Sequence, residues 1–294
     1  VIDLEKGEVI KEILTGLHAS GLALSPTGKY LAVANAGSDT VSIIETSRDE
    51  VMETISLRWQ AGDPFGASPN ALHFSSTGRE LYVCNGTQNA VAVVEFREGR
   101  SKIKGLIPAG WFPGAITLDE VRGKMHVANI KGFGSGRAED PEGKGFNTHQ
   151  YFGSLSLIDL PARRELSRHT TVVLENMRQS VIRDSFLPPR ANQPARPVPE
   201  RAGEPSVFQH VVYVIKENRT YDQVLGDMKE GNGRPELCIF GEKFTPNQHK
   251  IAREFVLLDN TYCSGILSAD GHNWSTSAFA TDYMERSFAG WPRS

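Results

Sequence analysis

The chain has few cysteines, and the three it has, Cys84, Cys238 and Cys263, form neither a metal-ligand spacing nor a dense disulfide framework. Cys84 falls in the strand-like LYVCN and reads as a small buried core residue. Cys238 and Cys263 belong to one later stretch and could bond to each other in an oxidising compartment, two separate core thiols being the alternative. Long apolar runs are also missing: none approaches the ~20 residues of a membrane-spanning helix, so no membrane span is expected. A leader with a basic start and an apolar middle is absent too; the opening VIDLEKGEVI reads as the middle of β structure, and both ends look truncated. Nor is there a basic excess. A formal net charge of −3, with Lys and Arg scattered, offers no field for nucleic-acid phosphates. What remains is ordinary: 39% hydrophobic and 23% charged residues over 294 positions, room for two domains and too apolar for disorder throughout.

The first half carries a repeat. SPTGKYLAVANAGSDTVSII from Ser25 and SSTGRELYVCNGTQNAVAVV from Ser75 align along their length, and LDEVRGKMHVAN from Leu118 is a looser copy. The matching asparagines Asn35, Asn85 and Asn129 recur at separations of 50 and 44 residues. The first two copies each have a Thr-Gly turn, an alternating strand, a tight polar turn and a second strand, which is the antiparallel grammar of a four-stranded propeller blade. Residues 1–160 are therefore expected to form a partial all-β propeller of about three blades. Closed propellers use roughly four to eight blades, so the others would lie ahead of Val1 or come from a partner. The third copy is interrupted by the Gly-rich, charged KGFGSGRAEDPEGKGFNTHQYFG, read as a surface excursion, before SLSLID resumes at Ser154.

From residue 161 to 206 the composition shifts. An amphipathic stretch, Val172 to Phe186, leads into LPPRANQPARPVPERAGEPS, where dense proline disfavours helix and central strand, so the segment is expected to link two domains. The third part, residues 207–294, then alternates strand and helix in the α/β manner. Val211 to Ile215 is β-branched and aromatic with no polar break, as in a parallel strand covered on both faces. It runs into Lys216, Glu217, Asn218 and Arg219, and Thr220 can cap a helix over Tyr221 to Leu225. Polar residues at the carboxyl end of such a strand, just before a helix, sit where open α/β sheets bind ligands. A second apolar run, Phe255 to Leu258, ends in Asp259 and Asn260, followed by a Ser- and Gly-containing loop and a helix from about Asn273. His249, on a short helix over Asn247 to Glu254, is expected to be a surface or packing residue.

ENRTYDQVLGDM, FGEKFTPNQHKIAREFVLLDN and SADGHNWS resemble the phosphoesterase family of bacterial phospholipases C and acid phosphatases, within the alkaline phosphatase superfamily. The chain as a whole resembles bacterial proteins that fuse a YVTN-type β-propeller to such a domain. The resemblance implies the N-terminal part of an α/β alkaline-phosphatase-like domain in residues 207–294 and hydrolysis of phosphate esters by the full-length protein. It implies a divalent metal ion (Zn, Mn, Mg or Ca), with Glu217 and Asn218 as ligands and the remaining ligands beyond Ser294. It also implies a periplasmic or secreted protein.

Thr261, Ser264, Ser268, Ser275, Thr276 and Ser277 all supply a hydroxyl near the right loop. By resemblance to the superfamily, where the nucleophile follows an Asn-X-Tyr strand end and opens a helix, Ser268 is the expected nucleophile and metal ligand. Thr261 is the runner-up. Asp270 and His272 flank it, as positioning or acid-base groups or as a tight turn before the helix. The competing reading is a non-catalytic propeller scaffold for a protein partner, with a degenerate phosphoesterase module.

Overall fold

In a computed structural model of the chain, the described residues are 1–132, 152–262, 264–265 and 268–287. They form two compact units, one of Val1–Pro189, Glu200–Ala202 and Ser264–Ser294, the other of Arg190–Pro199 and Gly203–Cys263.

The first unit opens with a two-stranded ribbon, β1 (Ile2–Asp3) and β2 (Glu8–Val9), followed by three antiparallel sheets. The first blade is β3 (Ala19–Leu24), β4 (Tyr30–Asn35), β5 (Thr40–Glu45) and β6 (Glu50–Ser56). The second is β7 (Pro69–Phe74), β8 (Glu80–Asn85), β9 (Ala90–Glu95) and β10 (Lys102–Pro108). The third has three strands, β11 (Trp111–Asp119), β12 (Lys124–Gly132) and β13 (Ser154–Asp159). The repeated turn glycines Gly28, Gly78 and Gly123 all have positive φ, a conformation that costs a residue with a Cβ more than it costs glycine. In the first two copies the turn serine closes the hairpin as well: Ser25 Oγ accepts from Tyr30 N at 3.0 Å, and Ser75 Oγ from Glu80 N at 3.1 Å.

The repeat asparagines are structurally equivalent, as expected. Asn35 pairs with Ala19 and Thr40, Asn85 with Pro69 and Ala90, and Asn129 with Pro113 and Ser154. All three are buried, and each incoming strand has a register shift just after the paired residue. Strand alternation divides the middle blade between two cores. Leu81 and Val83 of β8 join Ala32, Val41 and Ile43 of the first blade, whereas Tyr82 and Cys84 join Met125 and Val127 of the third. Burial of this kind stabilises by roughly 1.5–3 kcal/mol for each large side chain. It also pushes the Cys84 thiol up to about 12, against the pull of Arg286, so Cys84 is an inert core residue, as read from the sequence.

The blades are tied together by their turns. Asp39, at positive φ after β4, is buried and accepts from the amides of Gly66, Ala67 and Ser68 at 2.7, 2.8 and 3.1 Å, which fixes the entry to the second blade. Asn89 occupies the same place after β8 and accepts from Phe112 N at 2.8 Å at the entry to the third.

Residues 161–206 are not the plain linker that their composition suggests. Helix α1 (Arg163–Asn176) buries Leu166, Thr170 and Val173, and Thr170 Oγ1 accepts from Leu106 N of β10 at 2.9 Å. Gly105 admits this contact, since a Cβ there would lie 2.6 Å from the Leu166 side chain. A short second helix, α2 (Gln179–Ser185), follows, so the amphipathic period was real but served packing against a blade. The excursion after Asn129 lies largely outside the described residues.

The second unit departs most from expectation. Its described elements are α3 (Tyr221–Leu225), a 3-10 turn (Pro235–Leu237) and α4 (Pro246–Glu254), with one isolated bridge between Arg196 and Ser206 and no strand among the described residues. Val211, Val212, Tyr213 and Val214 are 84, 86, 70 and 75% exposed, and Phe255, Val256 and Leu258 are exposed too. Neither run is the buried parallel strand expected, because no described segment of the unit hydrogen-bonds beside it. An alkaline-phosphatase-like sheet is therefore not shown. Residues 264–287, expected to belong with it, fall in the first unit. They form α5 (Ser268–Ser277) and α6 (Asp282–Ser287).

Candidate functional site

The expected site residues divide between the units. In the second unit, Thr220 caps α3 with a reciprocal box: its Oγ1 accepts from Gln223 N, and Gln223 Oε1 accepts from Thr220 N. Just before this start Glu217 and Asn218 are joined by a cis peptide, and Glu217 lines a cavity of about 410 Å³. Glu217, Arg219, Tyr221, Val224 and Phe240 line it. Arg219 lies 5.2 Å from the Phe240 ring centroid and donates to the Asn218 carbonyl at 2.6 Å. Tyr221 Oη is buried without a hydrogen-bond partner among the described residues, and burial raises its pKa, helped by Asp259 and Asp222. The lining is thus mostly apolar, with one carboxylate, Glu217, and two cations, Lys216 and Arg219. Larger hollows lie on the second blade. That of about 580 Å³ is lined by Glu80, Glu95, Arg97 and Lys104, whose charges pair within the blade.

A divalent ion takes several oxygen donors, six or more for calcium. Glu217 and Asn218 supply two, and no group of three or more His, Cys, Asp or Glu suited to a metal gathers among the described residues. These residues alone do not fit a complete metal centre.

His249 was expected at the surface or in packing, and it is fully buried. Its Nε2 lies 2.8 Å from Asp227 Oδ1 and its Nδ1 2.8 Å from the Thr245 carbonyl, so both ring nitrogens are occupied and neither is available to a substrate. Burial favours the neutral ring, but Asp227 and the Thr245 carbonyl outweigh it and raise the pKa. The reciprocal bond lowers that of Asp227. Cys238 is a free thiol whose Sγ lies 3.9 Å from the Gln223 and Val224 carbonyls; Cys263, its suggested partner, lies outside the described residues.

In the first unit, Ser268 is the first residue of α5, five residues earlier than the start expected at Asn273. Asp270 and His272 therefore lie within the helix and do not form a turn before it. Ser268 is exposed and makes no hydrogen bond among the described residues, while Ser275 and Thr276 hydroxyls donate back to the Gly271 and His272 carbonyls at 2.8 and 2.7 Å. Asp270 is buried, and its Oδ1 accepts from Gly271 N at 3.1 Å; His272 is exposed one turn beyond Ser268. Thr261, the runner-up, is exposed in the second unit.

Sequence reading missed a buried charge cluster on the first unit. Lys131, two residues past the repeat asparagine, is 1% exposed and pairs with Glu285 Oε2 at 2.5 Å. A lysine where the β12 alternation calls for an apolar residue was the available signal.

The family described as "Lactonase, 7-bladed beta-propeller" matches residues 3–118, which hold the first two blades and most of β11. No curated protein matches the chain. Among solved structures, Kuenenia stuttgartiensis hydrazine synthase is 22% identical over 52% of this chain and 36% of its own, with a TM-score of 0.36. A 6-phosphogluconolactonase candidate from Bacteroides uniformis is 22% identical over 37% of this chain and 32% of its own, TM-score 0.33. One from Bacteroides fragilis is 19% identical over 38% and 34%, TM-score 0.32. The chain thus spans about a third of the length of these structures, and likenesses this faint carry no argument about its activity. Among the described residues no helix is long and apolar enough to cross a membrane. The fold is that of β-propeller blades accompanied by helices, and the family match is confined to the blades.

Proposed function

We propose that the protein belongs to a hydrolase acting on phosphate esters, with Ser268 as the nucleophile. The observation that carries this reading is the state of the Ser268 hydroxyl: exposed, unbonded among the described residues and at the first position of a ten-residue helix. Helix amides and the positive end of the dipole favour the charge that builds on nonbridging oxygens during attack. Ser268 Oγ, giving up its proton to water, attacks phosphorus as the P–O bond to the leaving alcohol breaks, and water then hydrolyses the phosphoserine to release phosphate. His272, four residues on and on the same face, is placed to protonate the leaving oxygen. Asp270, buried beneath, holds the first turn through Gly271 N. Glu217 and Asn218 are proposed, from the family resemblance, as two of the oxygen ligands of a divalent ion, which when bound would supply positive charge against a phosphoryl group. The blades are proposed to present substrate or bind a protein partner, and a periplasmic or secreted location is proposed from the family resemblance.

The test is turnover of an aryl phosphate ester by the full-length protein. Ser268→Ala is expected to abolish it, and Glu217→Ala to weaken binding of a divalent ion, read separately by calorimetry. Wild-type turnover by Ser268→Ala would exclude Ser268 and bring Thr261 forward. A second reading, hydrolysis of a lactone, is favoured by the family match over residues 3–118. It predicts that a sugar lactone is opened at a rate unaffected by Ser268→Ala. Absence of both activities leaves the propeller scaffold.

A further inference from the structure

Helix α5 buries only Asp270 and Gly271 of its ten residues, which is little apolar packing for a helix that must hold a reactive group still. Its attachment is polar and converges on one lysine. Lys131 Nζ, rising from β12 of the third blade, pairs with Glu285 of α6 at 2.5 Å and donates to the Ser264 carbonyl at 2.7 Å. It also lies 5.3, 5.6 and 5.7 Å from the ring centroids of Trp111, Phe112 and Trp274. Trp274, in the middle of α5, donates from Nε1 to Glu285 Oε1 at 2.7 Å, so the carboxylate that neutralises the lysine also holds the helix. Next to Ser264, a Cβ on Gly265 would lie 2.5 Å from Gly271 N and 2.7 Å from Asp270 Oδ1, so the backbone here rests directly on the first turn of α5. The lysine thus secures the beginning of α5 through Ser264 and its middle through Glu285 and Trp274.

A buried ammonium is tolerated only when its charge and protons are all satisfied. Here one carboxylate, one carbonyl and three aromatic faces do so. A neutral side chain at 131 would leave Glu285 as a buried, uncompensated charge and free the Ser264 carbonyl at the same moment. A second clasp, Arg286 Nη2 donating to the Gly114 carbonyl at 3.0 Å, holds α6 to β11 independently of Lys131.

We propose that Lys131 is a positioning residue through which the third blade holds α5, and with it the Ser268 hydroxyl, in working geometry. The role assigned to Ser268 rests on the phosphoesterase reading; the hold on α5 does not. The experiment uses the full-length protein with Lys131→Met, Lys131→Arg and the neutral pair Lys131→Met/Glu285→Gln. Amide exchange across Ser268–Ser277 is measured beside exchange across Glu80–Asn85, which reports blade integrity. In Lys131→Met, exchange of α5 is expected to rise by about tenfold or more while β8 is unchanged. Turnover of an aryl phosphate is expected to lose about tenfold in kcat with KM within about twofold, most of it recovered by Lys131→Arg. If Lys131→Met fails to fold, the neutral pair, which leaves no buried charge, provides the same comparison. Unchanged α5 exchange overturns the proposal, and so does faster exchange with wild-type kcat in a protein whose turnover Ser268→Ala abolishes. If Ser268→Ala keeps its turnover while Lys131→Met loosens α5, the nucleophile assignment falls and the hold of Lys131 on α5 stands.

Discussion

The blades and the Gly203–Cys263 region are built from similarly apolar segments, yet one buries them and the other does not. Val83 of β8 is fully buried, whereas Val214, in an equally β-branched run, is 75% exposed. The difference lies in where the hydrogen-bonding partners sit. In the first two blades each strand pairs with its neighbour in sequence through a turn of a few residues, so the loop-closure cost is small and the register is set locally by Gly28, Gly78 and the paired asparagines. A parallel strand has no local partner. It must wait for a crossover and a second strand, and in the second unit no described segment provides one. β-propensity is thus a statement about a surface that needs covering, and it becomes structure only where the cover is near in the chain.

The sharpest way to break the blade side of this comparison is to cut the tie between blades. Asp39→Ala removes the acceptor of three amides, Gly66, Ala67 and Ser68, and leaves them buried or half-buried without a partner. The expected loss is about 3–5 kcal/mol in urea unfolding followed by tryptophan emission. Asn89→Ala, at the equivalent turn, removes one acceptor and is expected to cost about 1–2 kcal/mol. Equal costs would mean that the carboxylate is not the tie.

A matched pair of truncations tests the two regions directly. Val83→Ala is expected to destabilise by about 2 kcal/mol, through lost burial and a small cavity between the first two blades. Val214→Ala, where the side chain is already in water, is expected to stay within about 0.5 kcal/mol. A cost at Val214 similar to that at Val83 would show that the run is covered in solution, and the contrast drawn here would fail.

The same logic explains what could be read beforehand. The propeller was legible because it repeats: the Thr-Gly turns and three asparagines announce a strand pair before any contact is known. The cap at Thr220 was legible because it is local, Thr to Gln over three residues. Helix α1 was not read in full, since its packing depends on Gly105 and Leu106, some sixty residues away. The lysine cluster was hidden for a similar reason. Lys131 and Glu285 are far apart in sequence, and neither carries a spacing that marks it. Glu217 and Asn218 were placed from a strand end that the structure does not show, so their setting is the capped turn and not a sheet edge.

The smallest expected effect concerns the part of the second unit that is well held, the pair His249 and Asp227. The folded state raises the His249 pKa, so its contribution is full below the unfolded value of about 6.5 and is lost as pH rises through the folded value. Asp227 is lowered, so its contribution is full above about 3.8 and is lost as pH falls through its folded value. Between those limits the pair holds α4 against the 227 turn, and outside them on either side it weakens. Asp227 is 36% exposed at its side chain, so water screens the interaction and the net worth is expected to be about 1 kcal/mol or less. Amide exchange of α4 should accordingly be slowest near pH 5–6 after correction for the intrinsic rate, and Asp227→Asn should flatten the dependence on the alkaline side. A profile that Asp227→Asn leaves unchanged would mean that the Thr245 carbonyl alone holds the ring, and that His249 is buried for its shape and not for its charge.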